Sequence, residues 1–383
     1  MAIKGLRAGR KQQKLPVTPG TVGNTKTTQP AGARRLLSGI RPTGPLHLGH
    51  FVAVLPQWLS YQETHECFFL IADVQALATH QKRPELLAAS VKEVTLDLLA
   101  AGLDPQKGAI LIQSQIPEFA SLTLILQMLV RTGELRRNPL MREEARALGQ
   151  RHLREAVNDI EFGLFGYPVS QVADMLLFTT SPPRERDSLI VPVSEDQLPH
   201  VELAGTLARR FNRIYAPVFL EPEARTGPVA QLPGTDGGYR MGTTERNSIL
   251  LTDERDVYAA KIRNIFFDPL RLRPEDPGHP DACPCFSFLS ALGCDADEIE
   301  ERRSNCVAAR SSCETCQETL VQRTEEALRP HQKRREEFAR DPGYVEQVLT
   351  EGTRRAREVA AETMAHVRAA MQLDYPGLIR RTT

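Results

Sequence analysis

The sequence predicts an α/β protein with a doubly wound, Rossmann-like parallel sheet, followed by a smaller all-helical domain. Two patterns support this. Short apolar runs alternate with amphipathic segments as far as about residue 254, and only helical periodicity follows. The chain of 383 residues, 41% of them hydrophobic, is also long enough to bury the cores of two domains.

The strands are predicted where apolar residues run together. The first ends at Leu36 and Leu37, and three more are expected at residues 67–72, 109–112 and 189–193. Amphipathic helices are expected between them, for example at 83–101 and 119–132. Strands separated by helices indicate a mostly parallel sheet, whose ligands bind at the carboxyl ends of the strands.

Three segments are expected along the chain. Residues 1–33 form a disordered basic extension, since the chain contains no Asp or Glu before Glu63. This extension is interpreted as a solvated tail, with an RNA-binding arm or an organellar presequence as alternatives. Residues 34–254 form the sheet domain. Residues 255–383 form the helical domain, in which apolar residues from Val345 to Met371 recur at helical spacing.

Composition excludes some partners. Lys plus Arg equal Asp plus Glu at 48 each, so no global charge attracts nucleic acid or a membrane surface. No apolar run reaches the roughly 20 residues that cross a bilayer. We therefore expect a cytoplasmic protein with neither a membrane nor a DNA partner, and any contact with a polyanion must be local.

A glycine- and proline-containing segment follows the first strand. Residues 38–44 read SGIRPTG and lead into His47-Leu48-Gly49-His50. Gly39 allows the backbone to turn towards a ligand, and Pro42 stiffens the loop. The two imidazoles are expected on one face of the next helix near its N-terminus, where free amides attract phosphate. Gly49 is expected to leave room for a base.

This segment resembles the HIGH signature of the class I aminoacyl-tRNA synthetases, and within that class the chain looks like a tryptophanyl-tRNA synthetase. Residues 167–175, YPVSQVADM, are similar to the family's tryptophan-binding helix. The resemblance implies that Tyr167 and Gln171 contact substrate and that Asp174 accepts the indole N–H. A polar acceptor there would select tryptophan over phenylalanine. Taken alone, Asp174 is an ordinary helix-face aspartate.

The resemblance also implies an ATP site. Residues 191–197, VPVSEDQ, are similar to the family's ribose-binding VPVGEDQ, with Ser194 in place of glycine. A strand end that caps a helix is the alternative for these residues. The implied ATP contacts outside the second signature are Gly39, Arg41, Pro42, Thr43, Gly49, His50, Ser194, Glu195, Asp196 and Val229.

The second family signature, KMSKS, is degenerate. The chain reads Arg240, Met241, Gly242, Thr243 and Thr244 in its place. In the family these lysines stabilise the pyrophosphate leaving group in the transition state. The resemblance makes Arg240 a candidate catalytic residue with His47 and His50, and predicts slowed or altered activity with tryptophan binding intact.

Six of the seven cysteines lie between residues 283 and 316. Cys283, Cys306, Cys313 and Cys316 have the spacing C-x22-C-x6-C-x2-C. Four thiolates suit tetrahedral zinc or an iron–sulfur cluster, and free cysteines are the remaining alternative. Some tryptophanyl-tRNA synthetases bind a 4Fe-4S cluster through this spacing, with Cys-Pro at the first ligand, so the resemblance favours the cluster. Its expected role is structural.

The resemblance therefore implies a homodimeric enzyme that uses ATP and Mg²⁺ to form tryptophanyl adenylate and passes the acyl group to tRNA(Trp). One rival function stays open at this point. A synthetase-like paralogue with weak or no acylation could bind tryptophan, tRNA or a partner in a regulatory or biosynthetic role, and the degenerate loop favours that reading.

Overall fold

The computed structural model describes residues 32–138, 161–227, 232–238, 241–242, 247–265, 268, 270–271, 273 and 275–375. Within them one parallel sheet has the strand order β3-β2-β1-β4-β5. Its strands are β1 (Arg34–Ile40), β2 (Glu66–Ile71), β3 (Gly108–Ile112), β4 (Ser188–Pro192) and β5 (Glu223–Arg225). The predicted doubly wound sheet is confirmed.

The direction of winding reverses between β1 and β4, which pair in register at Leu36 and Ile190. Ligands of open parallel sheets bind at such a reversal, beyond the carboxyl ends of the strands. Strand β1 continues to Ile40, three residues past the end expected from its apolar run. The ATP-binding segment therefore begins on the sheet itself.

Helices follow the strands and are joined to them by turns and loops. The helices that accompany the sheet are α1 (Leu55–Tyr61), α2 (Asp73–His80), α3 (Pro84–Ala101), α4 (Pro117–Gln127), α5 (Thr132–Arg137), α6 (Phe162–Leu177) and α7 (Leu198–Ile214). Those that come later are α8 (Arg255–Arg263), α9 (Pro284–Ala291), α10 (Ala296–Val307), α11 (Cys313–Ala339) and α12 (Pro342–Ala370). The predicted helical C-terminal region is confirmed.

The hydrophobic core consists of two clusters, one on each face of the sheet. Neighbouring residues of a strand point to opposite faces, so Leu36 belongs to one cluster and Leu37 to the other. The first cluster contains Trp58 stacked on Phe69, with ring centroids 4.8 Å apart. Such burial on both faces explains why the strands read as continuous apolar runs.

The late helices belong to these same clusters. Leu320 and Val345 lie in the first cluster, and Ala356 and Met364 lie in the second. Helix α12 crosses β3 so closely that a Cβ on Gly352 would lie 2.1 Å from the carbonyl oxygen of Ile110. The helical region is thus packed directly onto the sheet, while the boundary between residues 254 and 255 stays a prediction.

Two expectations about segments fall partly outside the description. Residues 1–31 of the basic extension and the whole of residues 139–160 lie beyond the described chain. In the described residues, no helix has both the length and the apolar content that a membrane span requires.

Candidate active site and cysteine cavity

The HIGH segment is held by backbone pairing with residues 249–251. His47 forms an antiparallel bridge with Leu250, and the Leu48 amide donates to the Ile249 carbonyl at 2.8 Å. His47 therefore precedes the helical turn that begins the next segment, whereas His50 starts a π-helical turn, His50–Val54. The two imidazoles still meet, with ring centroids 3.8 Å apart.

Both imidazoles are neutral at neutral pH. Burial, followed by the nearby His50 ring, lowers the pKa of His47 to about 2. Burial also lowers the pKa of His50 to about 4. Neutral rings can each donate one N–H to a phosphate oxygen but cannot neutralise its charge. Any phosphate attraction by these two side chains therefore comes from hydrogen bonds.

The glycines near this segment have different surroundings from those expected. Gly39 lies inside β1, where a Cβ would stand 3.3 Å from the Leu70 carbonyl oxygen of the next strand. A Cβ on Gly49 would stand 3.0 Å from two atoms of the His47 ring. Gly49 thus makes room for the histidine, and Gly44 provides the turn with its φ of 146°.

Asp174 lies at the centre of a buried hydrogen-bond network beyond the ends of β2 and β3. The Gln113 Nε2 donates to both carboxylate oxygens, at 2.8 and 2.9 Å, and the Gln75 Nε2 also donates to the carboxylate. The Gln75 backbone amide donates to the Gln113 Oε1 at 3.1 Å, which fixes the orientation of the Gln113 amide. The acceptor is therefore held by two side chains from adjacent strand ends.

The charge state of Asp174 depends on opposing effects. Burial raises its pKa well above the ordinary value, while the bonds from Gln113 and Gln75 lower it and the nearby charge of Asp73 raises it. A carboxyl at 6% exposure can direct a lone pair at only a small number of donors. A single indole N–H is a donor of the kind that such a site accepts.

Tyr167 and Gln171 lie on the same helix as Asp174, two turns and one turn closer to its start, respectively. The Gln171 Nε2 donates to the Tyr167 hydroxyl at 2.9 Å. The guanidinium carbon of Arg41 stands 5.9 Å from the centre of the Tyr167 ring, which joins the first loop to this helix. His200 approaches the other edge of the ring, at 6.0 Å between centroids.

Two buried atoms around Tyr167 lack hydrogen-bond partners within the described residues. They are the Gln171 Oε1 and the His200 Nδ1. Buried polar groups in proteins are nearly always paired, so unpaired ones beside a strand-end crevice indicate that a polar ligand supplies the partner. Burial lowers the pKa of His200 to about 4, so its ring is neutral.

The segment after β4 forms the other wall. Ser194 and Glu195 are exposed, and the Ser194 hydroxyl donates to the half-buried Asp196. The Gln197 Nε2 donates to the second Asp196 oxygen at 2.8 Å. Asp196 is thus oriented by its two neighbours, and the predicted Arg41, Pro42 and Thr43 follow the adjacent strand β1. These two groups flank the reversal between β1 and β4.

The segment predicted to replace the second signature, residues 240–244, is described only in part. Met241 is buried, and its amide donates to the Leu232 carbonyl at 3.0 Å. The Gly242 amide donates to the Asn247 Oδ1 at 2.9 Å. Met241 is a neighbour of the HIGH helix, because a Cβ on Gly49 would stand 3.9 Å from its Cβ. The predicted Val229, Arg240, Thr243 and Thr244 lie outside the described residues.

The four cysteines line one cavity in the helical region. Cys283 caps α9, Cys306 lies in the last turn of α10, and Cys313 and Cys316 lie in the first turn of α11. A Cβ on Gly278 would lie 2.3 Å from the Cys306 sulfur, so only glycine fits there. Cysteines up to 33 residues apart in the sequence therefore line the same cavity.

Charges of both signs line this cavity, because Asp268 and Arg271 both border it. The Arg271 Nη1 approaches the Cys313 sulfur at 3.9 Å, and its Nη2 donates to the Ser311 carbonyl at 3.0 Å. Burial raises the pKa of the Cys306, Cys313 and Cys316 thiols, whereas a hydrogen bond from Cys285 lowers that of Cys283 to about 7. In the described chain, no three His, Cys, Asp or Glu side chains are close enough to hold one metal ion directly.

The sequence predicted for residues 113–118 a role in packing and subunit contact, whereas Gln113 bonds Asp174, and it did not single out Asp97. Gln113 directly follows β3, as Gln75 follows β2 by a few residues, and polar residues at adjacent strand ends were the available signal. Asp97 lies fully buried in α3 and accepts the Leu46 amide at 2.9 Å. Its signal was weak, because an aspartate in an apolar helix face has no distinctive pattern.

Comparison with known proteins agrees with this geometry. The family described as tRNA synthetases class I (W and Y) matches residues 29–329. The tryptophan–tRNA ligase of Thermotoga maritima is 38% identical over 342 residues, covering 89% of this chain and 100% of the relative. That of Aquifex aeolicus is 36% identical, covering 88% and 100%.

A solved structure adds the fold. The tryptophanyl-tRNA synthetase of Campylobacter jejuni complexed with ADP and tryptophan superposes with a TM-score of 0.71 at 28% identity, over 88% of this chain and 100% of that one. Both the family match and the identity extend across most of the chain. The chain belongs to the class I tRNA synthetases for tryptophan and tyrosine, among the tryptophan–tRNA ligases.

Proposed function

We propose that the chain activates L-tryptophan with ATP and transfers it to tRNA(Trp). The observation that carries the proposal is the buried Asp174 carboxylate, held by Gln75 and Gln113 at the strand ends beside the HIGH segment. This arrangement places an acceptor for an indole N–H at the edge of a sheet where nucleotides bind.

In the first step a tryptophan carboxylate oxygen attacks the α-phosphorus of ATP, and the bond to pyrophosphate breaks. The indole N–H of tryptophan donates to Asp174. The α-amino group of tryptophan is expected near Tyr167 and the unpaired Gln171 Oε1. His47 and His50 donate N–H groups to phosphate oxygens in their neutral form. Asp196 accepts from the ribose, and Arg41, Pro42 and Thr43 border the nucleotide.

Both signature imidazoles are neutral in the ligand-free chain, so they bring no positive charge to the site. Mg²⁺ bound with ATP would supply positive charge beside the triphosphate. The chain's own contribution is Arg240, with Met241, Gly242, Thr243 and Thr244 forming the degenerate loop around pyrophosphate. Arg240 stands in place of the first lysine of the family pattern and the second lysine is absent, so this arginine is the candidate that stabilises the leaving group.

Arg240→Ala tests that role. We expect tryptophan-dependent ATP–pyrophosphate exchange to fall on the order of 10²-fold in kcat, with the KM for tryptophan little changed, because the cation acts in the transition state. Arg263→Ala, which removes an exposed side chain in the last turn of α8, is the control. An unchanged exchange rate in Arg240→Ala would exclude its catalytic role.

In the second step the 2′-hydroxyl of the terminal adenosine of tRNA attacks the carbonyl carbon of the adenylate, and AMP leaves. The family membership supports tRNA(Trp) as acceptor and the cytoplasm as the place of reaction. A homodimer is expected. It agrees with the exposure of three large apolar side chains on α4 and α6, namely Leu124, Met128 and Phe162. Light scattering during size-exclusion chromatography measures the oligomeric state.

The cysteine cavity is proposed to bind a 4Fe-4S cluster through Cys283, Cys306, Cys313 and Cys316, with zinc as the alternative. Four thiols converge on one cavity and Arg271 lies beside them, which favours a centre of net negative charge. When bound, the cluster would join α9, α10 and α11. The free-thiol alternative predicts no bound metal at all.

Anaerobic purification separates these outcomes. A brown protein with broad visible absorbance that bleaches on reduction, lost in Cys306→Ser but kept in Cys294→Ser, supports the cluster. A colourless protein with one zinc per chain supports zinc, and a protein with neither metal supports free cysteines. The control is chosen because Cys294 does not line the cavity.

The rival function, a paralogue that binds tryptophan, tRNA or a partner with weak acylation, is distinguished by exchange kinetics. The degenerate loop is its supporting observation. Rapid tryptophan-dependent exchange together with aminoacylation of tRNA(Trp) establishes the ligase. Tryptophan binding without either reaction establishes the paralogue.

A further inference from the structure

Residues 331–335 of α11 are hydrogen-bonded to two residues that hold the HIGH segment, Asp97 and Leu251. We propose that Arg335 and Gln332 are positioning residues, which fix His47 and His50 through two hydrogen-bonded routes that meet at Leu46. The inference rests on the proposed function, since it concerns the same adenylation step. It makes the geometry of the active site depend on how α11 is seated.

The first route passes through a buried carboxylate. The Arg335 Nε donates to the Asp97 Oδ1 at 2.7 Å, and the Asp97 Oδ2 accepts the Leu46 amide at 2.9 Å. Asp97 is 0% exposed, so its carboxylate has only protein partners to stabilise it. The groups that face this pair are Glu93, which also bonds Arg335, and the ring of His331.

The second route passes through Leu251, in the 249–251 segment that pairs with the HIGH segment. The Gln332 Nε2 donates to the carbonyls of Leu251 and Asp253, at 3.0 and 2.9 Å. The Leu251 amide donates in turn to the Leu46 carbonyl at 2.8 Å. Both polar groups of the Leu46 backbone are therefore tied to α11, each through one intervening residue.

A third contact supports the same seat. The His331 ring, which is 0% exposed, meets the edge of the Phe51 ring at 5.9 Å between centroids. Phe51 follows His50 directly in the π-helical turn. Arg335 is thus linked through Asp97 to the residue before the two signature histidines, and Gln332 bonds the segment that pairs with them. His331 contacts the residue after them.

The position of Leu46 matters because His47 is the next residue. Phosphate contacts depend on placing two N–H donors within hydrogen-bond reach of the reacting triphosphate, and a misplacement of about 1 Å can cost on the order of 10²-fold in rate. Loss of either route weakens the hold on one polar group of the Leu46 backbone, either its amide or its carbonyl. The described hydrogen-bond partners of Asp174 are Gln75 and Gln113, and neither Arg335 nor Gln332 is among them.

The test uses full-length protein and the variants Arg335→Met, Gln332→Leu, and Arg335→Met combined with Asp97→Asn. We expect Arg335→Met to lower kcat for pyrophosphate exchange by about 10- to 100-fold, with the KM for tryptophan within threefold. Gln332→Leu should act in the same direction more weakly, since it leaves no buried charge. The double variant should recover part of the loss, because an asparagine oxygen still accepts the Leu46 amide.

Arg334→Met is the matched control. The Arg334 guanidinium donates to the Ala100 carbonyl, so it also seats α11 on α3, but it makes no hydrogen bond to the 46–50 segment or its bridge partner. We expect its kcat to stay near that of the unmodified chain. Amide hydrogen exchange of a peptide spanning residues 44–52 should speed up in Arg335→Met and stay unchanged in Arg334→Met.

Equal losses of kcat in Arg335→Met and Arg334→Met would overturn the proposal, as would an unchanged exchange rate for residues 44–52 in Arg335→Met. If Arg335→Met does not fold, Gln332→Leu decides by the same measurements. Absence of tryptophan-dependent exchange in the unmodified chain would refute the proposed function instead, and the hydrogen-exchange comparison would still test the positioning role.

Discussion

Replacing Asp174 with asparagine should weaken the preference for tryptophan over phenylalanine. The substitution keeps the shape of the side chain but converts one oxygen into an N–H₂ group. Both carboxylate oxygens accept hydrogen bonds from Gln113, so one Gln113 or Gln75 donor would then face another donor. The indole N–H would also lose one of the two carboxyl oxygens that can accept it.

The magnitude follows from these bonds. A buried donor that loses its acceptor costs about 1–3 kcal/mol, and 1.4 kcal/mol corresponds to a factor of ten in rate. We expect kcat/KM for tryptophan to fall about 10- to 100-fold, while that for phenylalanine, which has no indole N–H, changes little. The ratio of the two values, measured by pyrophosphate exchange, is the decisive quantity.

Ser170→Ala is the control for this experiment. Its hydroxyl donates to the Tyr167 carbonyl on the same helix and makes no bond to Asp174. An unchanged tryptophan-to-phenylalanine ratio in Asp174→Asn would refute the role assigned to the carboxylate. Equal loss in both variants would instead indicate a general disturbance of α6.

Two further predictions concern stability. Gly352→Ala should destabilise the fold by about 1–3 kcal/mol in urea denaturation, because its Cβ would lie 2.1 Å from the Ile110 carbonyl oxygen and the backbone of α12 or β3 would have to shift. Gly343→Ala is the control: its Cβ has only a 3.4 Å contact, so this variant should be neutral or stabilising. Burial lowers the pKa of His331 to about 4, so the unfolded chain takes up a proton below pH 6.5 that the folded chain does not, and the stability contributed by the neutral ring is lost as pH falls. Between pH 7.5 and 5.5 this loss is about 1 kcal/mol, and His331→Gln should show a correspondingly smaller fall.

The sheet could be predicted because its strands are buried on both faces. Continuous apolar runs such as residues 67–72 and 109–112 have no other simple explanation in a chain with intervening amphipathic helices. Strand β5 could not be found in this way, since its three residues are partly exposed at the sheet edge. The fold class thus depended on the central strands alone.

The candidate site was predictable as a set of acceptors and donors but not as a network. The motif identified Asp174, whereas its partners Gln75 and Gln113 are 99 and 61 residues away and meet it only when β2 and β3 pair. The neutral state of His47 and His50 was equally hidden, because it depends on burial by the folded chain.

The C-terminal helices show the same limit. Periodicity from Val345 to Met371 indicated an apolar face, but nothing in it identified β3 as the surface that this face covers. The sequence therefore predicted a helical C-terminal region without predicting the sheet surface on which it packs. The close approach at Gly352 became meaningful only once Ile110 was seen opposite it.

The stacking of Trp58 on Phe69 has a spectroscopic consequence. The chain has a single tryptophan, so all of its indole fluorescence comes from a 1%-exposed ring in the helix that continues the π-helical turn after His50. An apolar, dry surrounding shifts indole emission to short wavelengths. The apoprotein should therefore emit in the blue part of the indole range, and changes in the surroundings of Trp58 could be followed through this one intrinsic fluorophore.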